Sequence, residues 1–317
     1  MRERVTEPFC WRPRHGPDAA ALSRLRAHSP RPQAPLEDAW FLAGAPAPVA
    51  AVDRWMSYWE VRDALYDLSR NAAHGAARPL ARDWFHFLLA QEIPGAQFGS
   101  VLSPLVEALA TSFFILYPLG TEDEPYDGFF RDCLLTLGRV VMGRDGWSPS
   151  GALIRGAVLR RRWRLGAGWG WERPAGDLSA SMFFCLKYLP PAKIDPWLRS
   201  ALEIEDSCWR AQLVAWFVSA RGVLDGTIRQ PADLPHDDER PLFWTDSNLI
   251  SVDVIDGDGA PFLPVARRLA ARAALAAYFD DISFTDWAGG VLGDGELAAA
   301  LGELPWRFRE LFVRAPA

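Results

Sequence analysis

The sequence predicts an all-α fold: irregular stacked helical hairpins or a helical bundle, with about ten or more helices. Two observations carry that expectation. Large apolar residues recur one helical turn apart along most of the chain, as in Trp84 with Leu88 and Trp209 with Leu213 and Trp216, the spacing that lines one face of a helix. Strand-like alternation is confined to one short stretch, Ile250, Val252 and Val254, ahead of the turn-forming Asp256-Gly257-Asp258-Gly259. A small β-hairpin or ordered loop is therefore expected near residues 245–260.

Composition narrows the class. Half of the 317 residues are hydrophobic and 23% are charged, ordinary values for a globular protein with an ample core. The net charge of −6 disfavours a globally basic nucleic-acid binder. Lys187 and Lys193 are the only lysines, which reads as the codon bias of a GC-rich, bacterial coding sequence. Cys10, Cys133, Cys185 and Cys208 are widely spaced with no CxxC pair. The last three lie in apolar helical patterns, where a free thiol behaves as a small hydrophobe, so a reducing cytoplasm is expected. The N-terminus has charges and prolines but no apolar signal core. Residues 100–119 are apolar apart from Glu107 but include Pro104 and Pro118, which suits a buried helix better than a membrane span.

Residues 1–50 read as a Pro/Arg-rich arm that wraps the body, with one short helix over residues 18–28, and residues 51–317 as a single helical domain. From Asp53, the residues Val52, Trp55, Trp59 and Tyr66 make a first stripe. Pro79 opens a helix through Trp84, Phe85 and Leu88. A long apolar helix follows from Ser100. Asp127 is expected to cap the next, with Phe130, Leu134, Leu137 and Val141 on one side and Gly143 as its stop. Residues 151–165 read as a basic helix. Asp177 begins a helix closed by Pro190 and Pro191. Asp195 with Pro196, and then Asp206, open two adjacent helices, the second ending at Gly222. Helices resume over residues 263–279 and continue in three short pieces, the last at residues 305–313.

Asp127-Gly128-Phe129-Phe130-Arg131 echoes Asp195-Pro196-Trp197-Leu198-Arg199, each with a leucine three residues on. Helical pairs of this kind resemble HEAT-like hairpins over about one fifth of the chain.

Three constellations could carry function. Arg155, Arg160, Arg161, Arg162 and Arg164 precede Trp163, Trp169 and Trp171 in a Gly-rich stretch. Arginine beside tryptophan suits an acidic partner protein or, less well, stacked bases; the plain alternative is a solvated helix face. Arg160, Arg161, Arg164, Trp169 and Trp171 are the expected partner-binding residues. Second, Asp280, Asp281 and Asp286 in an aromatic-rich helical chain resemble the magnesium–diphosphate site of terpene cyclases. That resemblance implies an enzyme with an aromatic-lined pocket for a hydrophobic or diphosphate-bearing substrate. The Asn/Ser/Glu motif of that family has no counterpart here, and Asp281 or Ser283 as a helix cap is the simpler reading. Third, Asp253, Asp256 and Asp258 resemble half a calcium loop but lack its closing glutamate, so a hairpin turn is preferred. His86, between Phe85 and Phe87, is either a buried base or a hydrogen-bonded core residue. There is no GxSxG, Walker A, HExxH or GxGxxG.

The function expected on these grounds is a cytoplasmic protein-interaction module, of immunity or scaffold type, with no cofactor and no membrane association; the magnesium enzyme is the alternative. Of the 15 tryptophans, Trp55, Trp59, Trp84, Trp197, Trp209, Trp216, Trp287 and Trp306 occupy helical stripes and are expected in the core. Trp11, Trp147, Trp169, Trp171 and Trp244 sit where packing does not obviously require them and are candidate interface anchors.

Overall fold

The computed structural model describes residues 9–36, 58–74, 78–96, 105–154, 160–161, 171–172, 176–229 and 260–313. These hold thirteen α-helices, and the fold is all-α. The first is α1 (Ala19–His28), which starts where Asp18 accepts the Ala21 amide at 2.7 Å. Next come α2 (Tyr58–His74), α3 (Arg78–Glu92) and α4 (Leu105–Leu116). Together α2, α3 and α4 form the first packed group, and α4 then packs on α6 (Gly176–Tyr188). Every residue of α4 is buried, Glu107 included. With twelve residues it lies within the protein, and among the described residues no helix is long and apolar enough to cross a membrane.

The helix α5 (Phe129–Thr136) runs directly into a 3-10 stretch, Leu137–Met142, ending at Gly143. Asp127 does not cap it. The chain turns through Tyr126, whose carbonyl accepts the Phe129 amide at 3.1 Å. Gly128 takes the cap position at φ 87°, a left-handed conformation that glycine adopts without steric cost.

The expected basic helix is not present where its residues are described. Gly151 has φ 83°, the Leu153 amide donates to Asp206 at 3.0 Å, and Trp147 bridges Leu153 in antiparallel fashion. Further on, β1 (Arg160–Arg161) pairs antiparallel with β2 (Trp171–Glu172), with Arg160 opposite Glu172 and Arg161 opposite Trp171. The backbone hydrogen-bonding groups that a helix would use internally are spent on these contacts. The hairpin expected at residues 245–260 lies outside the described residues.

The second half comprises α7 (Pro191–Leu202), α8 (Ser207–Ser219), α9 (Arg221–Asp225), α10 (Val265–Tyr278), α11 (Asp281–Leu292), α12 (Gly295–Leu301) and α13 (Leu304–Phe312). Here α8 is the hub for α11, α12 and α13, while α10 packs on α7 and also on α6, joining the halves. The start of α7 lies at Pro191, upstream of the expected Asp195. Pro191 takes the first helical position, where its missing N–H is not needed. Asp195 is therefore internal and accepts from Arg199 at 3.0 Å, one turn on. The sequence echo is thus not a structural repeat, since Asp127 precedes its helix while Asp195 lies inside one. Nor do α7 and α8 form a close hairpin, because the main partner of α7 is α10. Asp206 does open α8, accepting the Trp209 amide at 2.8 Å. The helix stops at Ser219, and α9 ends at Gly226 in the left-handed conformation.

The N-terminal residues are part of the same core. Trp11 and Leu25 are 1% exposed. Trp84 Nε1 donates to the Ala34 carbonyl at 3.1 Å, and Arg26 Nε to the Ala90 carbonyl at 3.3 Å.

Candidate functional site

Two of the five tryptophans assigned to possible interfaces are buried instead. Trp11, Trp147, Trp197 and Trp209 come from four separate stretches of chain and meet in one cluster. Trp11 lies edge-on to Trp197 at 5.2 Å and to Trp209 at 5.8 Å, and Trp147 packs on Trp209 at 5.4 Å. Three of the indole N–H groups are satisfied at 2.8 Å, Trp11 by Gly138 O, Trp147 by Val141 O and Trp209 by Ala201 O. Four such rings are buried together, three with their polar ends bonded and the fourth, Trp197, with its Nε1 buried without a hydrogen-bond partner among the described residues.

A cleft of about 720 Å³ opens to solvent beside Trp11, the member of the cluster that lines it. One wall is the N-terminal strand of chain at Cys10, Trp11, Arg12 and Pro13. The second is the turn Ser150, Gly151 and Ala152. The third is the last turn of α7 and the corner into α8, with Ser200, Glu203, Glu205 and Asp206. The walls are tied together from beneath. Trp11 N donates to Ser200 Oγ at 2.8 Å, and Asp206 bonds Trp209 N through one oxygen and Leu153 N through the other. Asp206 thus both caps α8 and fixes the turn. The rim carries charges of both signs. Arg12, Glu203 and Glu205 are exposed, and their side chains make no ion pair among the described residues. Arg199 is held by Asp195. Beyond the turn, Ile154 is 47% exposed.

The arginine–tryptophan residues join this picture through the chain. Arg160, Arg161 and Trp171 lie in the two-residue ladder, and its register brings Arg161 directly opposite Trp171. The six residues from Ile154 to Arg160 reach at most about 20 Å, which bounds how far the Arg160 backbone lies from Ile154. Arg164 and Trp169 lie outside the described residues, as do Trp163 and Trp244.

The aspartates of the magnesium reading have local duties. Asp280 caps α11 in a reciprocal box with Ser283: Ser283 N donates to Asp280 Oδ1 at 2.7 Å, and Asp280 N donates to Ser283 Oγ at 2.8 Å. These bonds hold its carboxyl below the usual range, the Ser283 amide contributing most. Asp281 takes Arg309 at 2.9 Å. Asp286 is exposed on the same helix. Among the described residues no group of three or more His, Cys, Asp or Glu side chains is placed to hold a metal ion. Asp253, Asp256 and Asp258 lie outside the described residues.

His86 is buried, with Nε2 2.6 Å from the Tyr117 hydroxyl. Burial, aided by the nearby Arg82, pushes its pKa down to about 3. Burial likewise pushes the Tyr117 hydroxyl upward. Phe85 and Phe129 pack against the imidazole, so it is a neutral core residue. Two carboxylates are also buried, one on α4 and one on α6. Glu107 is 2% exposed and Asp177 3%. Phe113 and Phe114 meet Phe184 and Tyr188, and Tyr188 Oη reaches Tyr117 O.

Sequence reasoning names Asp206 as a cap but misses Arg12, Ser150, Glu203 and Glu205. No local signal marks them, because the cleft is assembled from three distant segments. The chain matches no family model, no curated protein and no solved structure.

Proposed function

We propose that this protein is a helical protein-interaction module that receives an extended segment of a partner protein. The segment lies along the cleft at the α7–α8 corner and continues onto the ladder of Arg160, Arg161 and Trp171. The observation that carries the reading is the cleft itself: Trp11 at its base under a rim of Arg12, Glu203 and Glu205, none of which has an intramolecular ion pair among the described residues. Small-molecule sites enclose most of their ligand and converge a few polar groups on it. This trough is open and bears its charges on the edge, the pattern of a polar rim around a packed centre. The arginines Arg160, Arg161 and Arg164, with Trp169 and Trp171 as aromatic anchors, favour an acidic stretch in the partner. The reading requires no metal. The four free cysteines support a reducing, cytoplasmic setting.

The test begins with a partner isolated by affinity capture and then purified. It is titrated against wild type, against Arg161→Glu/Arg164→Glu/Trp169→Ala, and against Glu203→Lys/Glu205→Lys. All three proteins are checked by circular dichroism. Loss of affinity by about tenfold or more in both variants is the expected result. Unaltered affinity in two folded variants overturns the reading.

A further inference from the structure

Lysine and arginine together number 34 in this chain, and only Lys187 and Lys193 are lysine. Lys187, on α6, is buried at 1% exposure. Inside a protein a lysine can shed its proton, whereas an arginine cannot. Lys187 Nζ donates to Phe262 O at 2.6 Å and lies 4.2 Å from the centre of the Phe262 ring. An ammonium carries three N–H donors. Among the described residues this one has a single acceptor and no ion pair.

Phe262 is a junction. Its amide donates to Arg229 O at 2.9 Å, so both of its backbone groups are tied. Its ring packs on Phe114 of α4 at 5.1 Å and on Phe183 of α6 at 5.5 Å. Two residues later, Pro264 takes the cap position of α10. One residue therefore joins the chain beyond α9, the aromatic core and the entry to α10, and Lys187 holds it.

We propose that Lys187 is a pH-operated latch on the entry to α10: as an uncharged amine it keeps Phe262 in the core, and on taking up a proton it releases Phe262 and the Arg229 bond together in a local opening. Each opening takes up one proton, which converts the amine to an ammonium that water then solvates. Closing returns the proton to solvent.

The surrounding charges leave the ammonium uncompensated. Glu122, on the turn after α4, attracts it, but both Glu122 oxygens are held by the Leu119 and Thr121 amides. Arg267 on α10 repels it and is itself held by Leu189 O. The Tyr117 and Tyr188 phenols are pushed upward by burial and stay neutral. Arg229 meets Phe262 through its carbonyl. Glu107 and Asp177 lie about two turns before Phe114 and about three before Lys187 on their own helices. Burial accordingly lowers the Lys187 pKa from 10.5 to about 7. Between those values the closed form gains as pH rises, and below about 7 the dependence levels off.

Amide hydrogen exchange of the full chain, followed by NMR from about pH 7 to about pH 9, tests the latch. An amide whose opening involves no proton gains about a hundredfold in exchange rate over that range, because exchange is base-catalysed. At Phe262 the opening should fall almost as steeply as the catalysis rises, leaving its rate within about threefold. Phe262 should also exchange faster than Leu213, which is buried in α8, because the opening is local. Lys187→Met should restore the hundredfold rise at Phe262. A hundredfold rise in wild type overturns the proposal, and the wild-type series decides this even if the variant does not fold. Equal rates and pH profiles at Phe262 and Leu213 also overturn it, since protonation then acts through global unfolding alone. A folded Lys187→Met that keeps the shallow profile does the same. None of these residues lines the cleft, so the partner reading stands or falls separately.

Discussion

Arg24 reaches from α1 to Asp132 on α5 and grips it with two hydrogen bonds, Nε at 2.9 Å and Nη2 at 2.6 Å. The Asp132 side chain is fully buried, and the Tyr126 hydroxyl donates to it at 3.0 Å. A carboxylate in such a place is tolerable only with its partners present. Arg24→Met removes the main one and should destabilise the fold by about 2–4 kcal/mol, read from urea unfolding. Arg24→Met with Asp132→Leu should recover much of that loss, because no charge is then left buried. A single variant as stable as wild type would show that α1 is not anchored through this pair.

Trp11 is the counterpart of Arg24 at the other end of the N-terminal segment. Its ring completes the tryptophan cluster and its N–H satisfies Gly138 O. Trp11→Ala opens a large cavity and should cost about 3–5 kcal/mol. It should also open the cleft, whose floor it forms. Hydrogen exchange at the Trp209 and Leu153 amides is the local measurement; unchanged protection there would separate the cleft from the cluster.

The periodic helices are legible in the sequence because the signal is local. Stripes such as Trp209, Leu213 and Trp216, and a cap such as Asp206, need no distant contact to be understood. Burial of isolated tryptophans is not local. Trp11 and Trp147 sit among prolines, glycines and charges, yet are 1% exposed, because residues more than a hundred positions away close over Trp11. The reverse holds for Trp306, which is expected in the core but is 55% exposed. Leu304, Phe308 and Phe312 form the buried stripe of α13, and Trp306, two residues from both Leu304 and Phe308, falls on the other side. The arginine-rich stretch misleads for a related reason. Its spacing fits a helix, but the left-handed Gly151, the bond from Leu153 to Asp206 and the pairing of Arg160 and Arg161 with a second strand take the described backbone out of helical geometry.

Lys187 gives the fold a specific pH dependence. Its ammonium is buried, donates to Phe262 O at 2.6 Å and lies over the Phe262 ring. Burial lowers its pKa from 10.5 to about 7, against the opposing pull of Glu122 and with help from Arg267. The unfolded chain therefore binds more protons than the folded one between those values, and stability rises with pH across that window. Below it both states are protonated and the full cost of the buried charge is present. Urea unfolding from about pH 7 to about pH 9.5 should show an increase of a few kcal/mol in wild type and a much flatter profile in Lys187→Met. A flat wild-type profile would mean that Lys187 is hydrated in the folded protein.

The acidic stretch makes the opposite kind of prediction. Asp280 is committed to Ser283 and Asp281 to Arg309. A magnesium ion would have to displace both, so magnesium with inorganic diphosphate should leave the melting temperature unchanged. Arg309→Ala should lower it slightly, as expected for a surface ion pair. Clear stabilisation by the two ligands together, lost in Asp281→Asn, would revive the enzyme reading.

Asp206 is where stability and the proposed recognition face meet. One oxygen holds the first turn of α8 and the other holds the turn that walls the cleft. Asp206→Ala should cost about 1–2 kcal/mol, the range for a lost helix cap with a second backbone amide freed. Asp206→Asn retains one good acceptor and should fall between. If the turn at residues 148–153 is a binding wall, Asp206→Ala must lose partner affinity by more than its small loss of folded population accounts for, since the protein remains mostly folded at this cost. Asp206→Asn, keeping the α8 cap while the Leu153 bond weakens, should lose affinity with little loss of stability. Affinities that track stability alone across the two variants would assign Asp206 to the fold and remove the turn from the recognition face.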